Sequence, residues 1–402
     1  SATEKRGIFN NWTVLLAILT FSLSLVGTFL VRSGILVSVH AFASDPARGL
    51  FILAFLAVVT GGSLALYAIK APSIKPTSSF SFISRETLLL LNNLLLSVAL
   101  AIVLLGTLFP LLATSLDWGS YSVGPPYFNR LFVPLMIPLL LLVALAPFFN
   151  WKSNSVHSKQ RSLWSILILL SMIVAGVWVA YLSQQYEREF PLIGFVFTAS
   201  CCWLLLMTLS HPLRNGVKNG ALISRLKKYT ASYWGMLIAH SGLAITALGI
   251  TFTVLFSQQL DVRMSIGDNV NVAGYRFELK SIQPKQGPNY SASRGEMLVY
   301  AESADSTNEQ NTIEQLYPEK RLYHAGRNVM TEAGIAGGFT RDLYVSLGEQ
   351  LDAQSWSVRV YVKAYVRFIW LGGLLMALGG VLAAMDKRYR IRSDANFAST
   401  NS

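Results

Sequence analysis

The chain has 402 residues, of which 52% are hydrophobic and only 13% charged, and its mean hydropathy is +0.45. Soluble domains carry about 25% charged residues, so a water-covered enzyme and a disordered chain are both excluded. The net charge of +12 would suit nucleic acid in a soluble protein. In a membrane protein the same excess is an orientation signal, and no nucleic-acid partner is expected. The chain opens Ser1-Ala2-Thr3-Glu4, without a signal-peptide pattern.

Eight apolar stretches are long enough to cross the roughly 30 Å of bilayer hydrocarbon as helices: 12–31, 49–69, 87–113, 131–149, 162–182, 190–210, 231–257 and 368–385. None contains Lys, Arg, Asp or Glu. Their connections alternate in charge. Seventeen basic residues lie on one side: Lys5 and Arg6, Lys70 to Arg85, Lys152 to Arg161, Arg214 to Lys228, and Lys387 to Arg392. The opposite short loops hold Arg32, Arg48, Arg130 and Arg188. The positive-inside rule makes the first side cytoplasmic and places both termini there.

Segment 257–367 has a different texture, with a net charge of −1. Its β-like runs are Val270–Leu279, Met297–Ala301, Thr312–Tyr317, Asp342–Leu347 and Trp356–Val362, separated by turn residues such as Gly287, Pro288, Asn289, Gly337 and Gly338. The expected fold is an α-helical polytopic membrane protein of about eight transmembrane helices with a small β-rich periplasmic domain. Its expected organisation is a seven-helix membrane domain over 1–256, the β-rich domain over 257–367, a final span over 368–385 and a cytoplasmic tail over 386–402. Leu25–Leu30 (LVGTFL) and Leu104–Phe109 (LLGTLF) echo each other and raise the possibility of a duplicated helix unit.

Chemistry-bearing residues are few. Cys201 and Cys202 are adjacent in an apolar run and read as packing; no CxxC, CxxCH, phosphate loop or zinc-spaced cluster is present. No residue is assigned a catalytic role. His157, His211 and His324 sit among charges and read as solvated loop or surface residues. His240 falls inside the seventh span, where ionisable residues are rare and read by default as functional. A neutral imidazole binds haem iron without burying a charge. Gly235, Gly242 and Gly249 recur every seven residues along the same span. Such a face admits a second helix or a planar ring, so a packing seam with one hydrogen-bonded histidine stands beside the ligand reading.

His40 lies in a short apolar loop on the outer side, flanked by Arg32 and Arg48, which suit an anionic ligand such as haem propionates. Ser44 or Asp45 is the expected N-cap of the next helix, with Pro46 at its first position. About seventeen residues separate His240 from the outer end of its span, roughly 25 Å. His40 and His240 therefore belong to two sites.

The runs Thr3–Gly7, Phe21–Gly34 and Ser38–Gly49 resemble the CcmF family, haem lyases of cytochrome c maturation. So do Tyr233-Trp234-Gly235-Met236 with Ala239-His240, Asp261–Met264, Met330–Ala333, Gly337-Gly338 with Thr340–Tyr344, and Asp386–Tyr389. The resemblance implies a haem-handling subunit of a bacterial inner-membrane machine. Such a protein receives haem from the periplasmic chaperone CcmE. With CcmH/CcmI-type proteins it takes part in ligating that haem to the CxxCH motif of apocytochrome c. It also holds a haem b (protohaem) in the membrane that keeps the incoming iron reduced, with membrane lipid and a quinol as further partners. By position His40 matches an outer-face ligand of the incoming haem, and His240 one axial ligand of the membrane haem b. The family's adjacent-tryptophan outer segment and its two partner histidines have no counterpart here. The chain therefore reads as a C-terminal portion that neither binds haem bis-axially nor works alone. A haem or small-molecule transporter and a non-catalytic assembly subunit are the alternatives. A transporter needs a polar path or broken helices near the midplane, and the uncharged spans disfavour it.

Overall fold

A computed structural model describes residues 9–33, 46–73, 81–82, 84–149, 158–213, 229–301 and 312–386. Among them are eight helices long and apolar enough to cross a membrane: α1 (Asn10–Arg32), α2 (Pro46–Lys70), α3 (Arg85–Ser115), α4 (Pro125–Leu145), α5 (Ser158–Gln185), α6 (Leu192–Leu213), α7 (Ala231–Phe256) and α8 (Val366–Ala384). The fourth begins earlier than hydropathy alone suggests and takes in Arg130, and the third takes in Arg85 and Glu86.

The chain divides into two compact units. The first contains α1 to α3 and α4 as far as Leu139. Within it the hydroxyls of Ser22 and Thr60 meet at 2.8 Å and tie α1 to α2. Gly106 of α3 lies beneath the rings of Tyr127 and Phe128, and Tyr127 Oη donates to the Ile102 carbonyl (3.2 Å). Gly27, its counterpart in the LVGTFL echo, has open space where Gly106 has two rings. The two glycines thus serve different packing, while the threonine after each donates to the carbonyl four residues before it (Thr28 to Ser24, 3.0 Å; Thr107 to Val103, 2.8 Å).

The second unit holds the end of α4 from Leu140, the 3-10 turn Ala146–Phe148, α5 to α8, and the β-domain. Its membrane core is built from Leu140, Val179, Leu182, Cys201, Leu204, Met207, Ala244, Leu248 and Phe252, among others. Cys201 and Cys202 are free and buried in packing, as expected.

The β-domain is a two-sheet sandwich. One sheet has the order β1 (Gln258–Ser265), β10 (Ser355–Ala364), β9 (Arg341–Gln350), β8 (Gly334–Gly337). The other runs β2 (Asn269–Val272), β3 (Tyr275–Gln286), β4 (Tyr290–Ala301), β6 (Glu319–Tyr323), β7 (Val329–Glu332), with β5 (Thr312–Leu316) also paired to β4. Period-two alternation sends Leu343, Val345 and Leu347 of β9 and Val358, Val360 and Val362 of β10 inward against Phe277, Leu279, Met297 and Val299. Each such side chain contributes about 1.5–3 kcal/mol by leaving water. The run Val270–Leu279 is not one strand. Ala273 and Gly274 both take positive φ (50° and 76°) and fold it into the β2–β3 hairpin.

One residue, Ser257, separates α7 from β1, and one, Tyr365, separates β10 from α8. β1 and β10 pair antiparallel from Gln258 opposite Val362. The α7–α8 helix pair thus continues directly into a strand pair. Ala364 N–H donates to Ser257 Oγ (3.0 Å), and Thr253 Oγ1 donates to the Ala364 carbonyl (2.7 Å), fastening the junction.

Candidate functional site

Helix α7 carries His240, and its ends are well defined. Thr230 precedes it in extended conformation and accepts the Tyr233 N–H on its hydroxyl (3.3 Å). The Ser232 N–H in the first turn is taken by Asp386 Oδ2 (2.9 Å), a buried carboxylate just beyond the end of α8. A negative group at a helix N-terminus also complements the helix dipole.

The seven-residue glycine spacing is filled by α8. A Cβ on Gly242 would meet the Gly372 carbonyl oxygen at 2.6 Å and the Met376 nitrogen at 2.8 Å. One on Gly249 would meet the Ile369 nitrogen at 2.7 Å, and Gly235 faces Gly379 and Ala383. The seam is therefore a close helix–helix contact with no room for a planar ring. At 100° per residue, His240 lies about 150° around the helix from that seam. It is half-buried, on the side where Leu243, Ala244 and Ala247 border the membrane core.

An imidazole so placed fits a haem-iron ligand by its donor chemistry. The imidazole projects from an uncharged helix on the face away from the α8 seam, with the small side chains of Ala244 and Ala247 one and two turns away on the same face. Among the described residues no cluster of three His, Cys, Asp or Glu gathers around a point.

His40 and His157 lie outside the described residues. His324 is exposed in the β6–β7 turn, as expected for a surface residue. His211 is different from its expectation as a solvated loop residue. The sixth span extends through Pro212, so His211 sits in the last turn of α6. Its Nδ1 meets Tyr233 Oη at 2.6 Å and its Nε2 meets the Pro147 carbonyl at 3.3 Å. A carbonyl only accepts, so Nε2 carries the proton and Nδ1 accepts from the tyrosine hydroxyl. The ring also packs edge-on against Phe148 (5.0 Å). With both nitrogens engaged, His211 clamps three elements and offers no free donor to a metal. Tyr233 stands seven residues before His240 on the same helical face, about 10 Å along the axis. The sequence signal for His211 is the apolar run Leu204–Leu209 continuing into it.

These features define a class: a polytopic membrane protein whose last two spans carry a β-sandwich between them, with a histidine inside one of those spans. Residues 255–364 match the family model described as the CcmF C-terminal beta-sandwich. The chain is 47% identical over 392 residues to "Cytochrome c-type biogenesis protein CcmF" of Pseudomonas aeruginosa, covering 98% of this chain and 58% of the relative. For the protein of that name from Escherichia coli the identity is 45% over 394 residues, with the same two shares. "Cytochrome c-type biogenesis protein ccl1" of Rhodobacter capsulatus is 39% identical over 398 residues. The fold is similar to a solved structure named "Cytochrome c Heme Lyase CcmF", with TM-score 0.70 and 19% identity over 96% of this chain and 56% of that one. The chain is similar to the C-terminal portion of these CcmF proteins and spans 58% of the length of the first.

Proposed function

We propose that this chain carries the C-terminal, haem-handling part of a cytochrome c maturation protein in the bacterial inner membrane. In this reading the sandwich, residues 257–367, stands in the periplasm and both termini face the cytoplasm, as the distribution of Lys and Arg supports. Haem arrives at the outer face from CcmE, where His40 ligates its iron. The chain takes part in passing that haem to apocytochrome c together with CcmH/CcmI-type partners. His240 would supply a ligand to the iron of a haem b within the membrane. A haem b there supplies a one-electron centre suited to keeping the incoming iron reduced. The protein's own share is positional. α7 sets the depth of the imidazole, and the glycine seam with α8 fixes which way it turns. The uncharged helix keeps water and competing charge away from the ligand.

The observation that carries this reading is the turn of His240 away from the α8 seam and toward the core side of α7. Its test is spectroscopic. The protein is purified from membranes with whatever co-purifies, and His240→Ala is compared with the parent. Loss of the b-type absorbance is expected, while an unchanged spectrum removes His240 as a ligand. For the outer site, His40→Ala is expected to lower the yield of holocytochrome c, and an unchanged yield removes His40.

A further inference from the structure

The β8–β9 turn is knotted to the first turn of α8. Tyr365, just before the helix, donates its N–H to the Thr340 carbonyl (2.8 Å). Arg367 Nε donates to Asp342 Oδ1 (3.0 Å), and the same oxygen accepts the Gly338 N–H (3.1 Å). Gly338 N–H also reaches the Arg341 carbonyl (2.8 Å), closing the turn. The Arg367 guanidinium lies where a Cβ on Gly337 would be, so a larger residue there would push the arginine aside. The four residues 337–340 are thereby held to α8 by backbone and side chain together.

Phe339 is the side chain this knot presents outward. It is 69% exposed, although a polar residue at the tip would satisfy every bond just named. Its ring nevertheless meets Phe368 edge-on at 5.3 Å. Phe368 is the third residue of α8, a candidate membrane span. Two residues further on, Trp370 is 74% exposed on the same first turns. Phe339 therefore stands at the depth where α8 enters the hydrocarbon, level with an exposed tryptophan that lies about 200° around the helix from Phe368. Aromatic rings concentrate at that boundary because it accommodates a flat, weakly polar face. Arg367 turns its charged end out of the span toward Asp342, as a long basic side chain does at such a boundary.

We propose that Phe339 inserts into the lipid surface beside α8, so that the turn 337–340 is an interfacial anchor holding the sandwich at a fixed height over the bilayer. The occupant is lipid and not a protein groove, because Phe339 lies level with the start of a span and packs on Phe368 in that span's first turn. This proposal is independent of the haem assignment.

The test uses the full chain in phosphatidylethanolamine–phosphatidylglycerol vesicles. Phe339, Trp370 or Ile266 is replaced singly by p-cyanophenylalanine, which at position 339 keeps the ring. Trp370 is the lipid reference. Ile266, exposed in the turn after β1, is the aqueous one. The nitrile stretch at 339 is expected to fall with that at 370, at the dehydrated frequency. A nitroxide on a cysteine at 339, in a Cys201→Ala, Cys202→Ala background, gives a second reading. It is expected to be severalfold less accessible to a nickel chelate than a label at 266, and readily accessible to oxygen. A hydrated nitrile, or nickel accessibility equal to that at 266, overturns the anchor. So does protection from both oxygen and nickel, which would mean that protein covers Phe339.

Discussion

Gly242 of α7 and Gly372 of α8 meet backbone to backbone: a Cβ on the first would stand 2.6 Å from the carbonyl oxygen of the second. Nothing at that level yields without moving a helix. Gly242→Leu is expected to cost about 1–3 kcal/mol or more by overpacking. Gly373 is the control, since it has open space around it. Gly373→Ala is expected to be neutral or slightly stabilising, by up to about 1 kcal/mol of helix propensity. Thermal unfolding of both variants in detergent measures the contrast, and equal effects would contradict the seam.

The glycine spacing showed that α7 has a flat face, but not what lies on it. The answer was present in α8, where Gly372 and Gly379 repeat the same seven-residue interval. Recognising it requires matching two segments that the whole sandwich separates. Alternation made β9 and β10 readable, because Leu343, Val345 and Leu347 and Val358, Val360 and Val362 all point inward. β1 was not readable. Its sequence, Gln258-Gln259-Leu260-Asp261-Val262-Arg263, follows an apolar helix with one residue between, and Leu260 faces outward. β6, β7 and β8 are four or five residues each, too short to establish a period. The sequence does not show the clamp at His211, because its partners Tyr233 and Pro147 lie 22 and 64 residues away in the chain. The basic residues that follow it suggest a loop more strongly than any local signal suggests a helix. His240 falls inside α7, as its apolar surroundings predict.

Two hydrogen bonds make His211 a clamp between α6, α7 and the turn after α4. Tyr233→Phe removes one of them and is expected to cost about 0.5–1.5 kcal/mol. His211→Ala removes both, with the Phe148 contact, and is expected to cost more, about 2–3 kcal/mol. In a double-mutant cycle the two changes should be strongly non-additive, because they share a bond. Additive losses in thermal unfolding would show that the 2.6 Å contact carries no energy.

Asp386 reaches from beyond α8 to the first turn of α7. Asp386→Asn keeps an oxygen that accepts the Ser232 N–H and loses only the charge, an expected cost of about 0.3–1 kcal/mol. Asp386→Ala leaves that N–H without its acceptor and is expected to cost about 1–2 kcal/mol. Amide hydrogen exchange at Ser232 gives a local check. Protection should survive in the asparagine variant and fall in the alanine one.

Glu319 of β6 supplies the clearest pH dependence. Its side chain is buried and accepts from Lys285 Nζ and Arg321 Nε, each at 2.8 Å. Arg321 in turn lies over the Tyr290 ring. Burial pushes the carboxyl's pKa upward, but the hydrogen bonds from Lys285 and Arg321, with their charges, outweigh it and hold the group below the ordinary carboxylate range. Its folded pKa is therefore lower than the value of about 4.3 in the unfolded chain. The unfolded chain then takes up the proton first on acidification. The stabilisation is complete above about pH 4.3 and is lost as pH falls through the folded pKa. At neutral pH Glu319→Gln is expected to cost about 1.5–3 kcal/mol, the worth of hydrogen bonds to a charged group. The gap between parent and variant should narrow steadily below about pH 4. Denaturant unfolding of the two proteins across pH 3 to 7, followed by Trp356 in β10, measures it. A gap that stays constant across that range would mean that Glu319 has the same pKa folded and unfolded, and that Lys285 and Arg321 do not hold its charge.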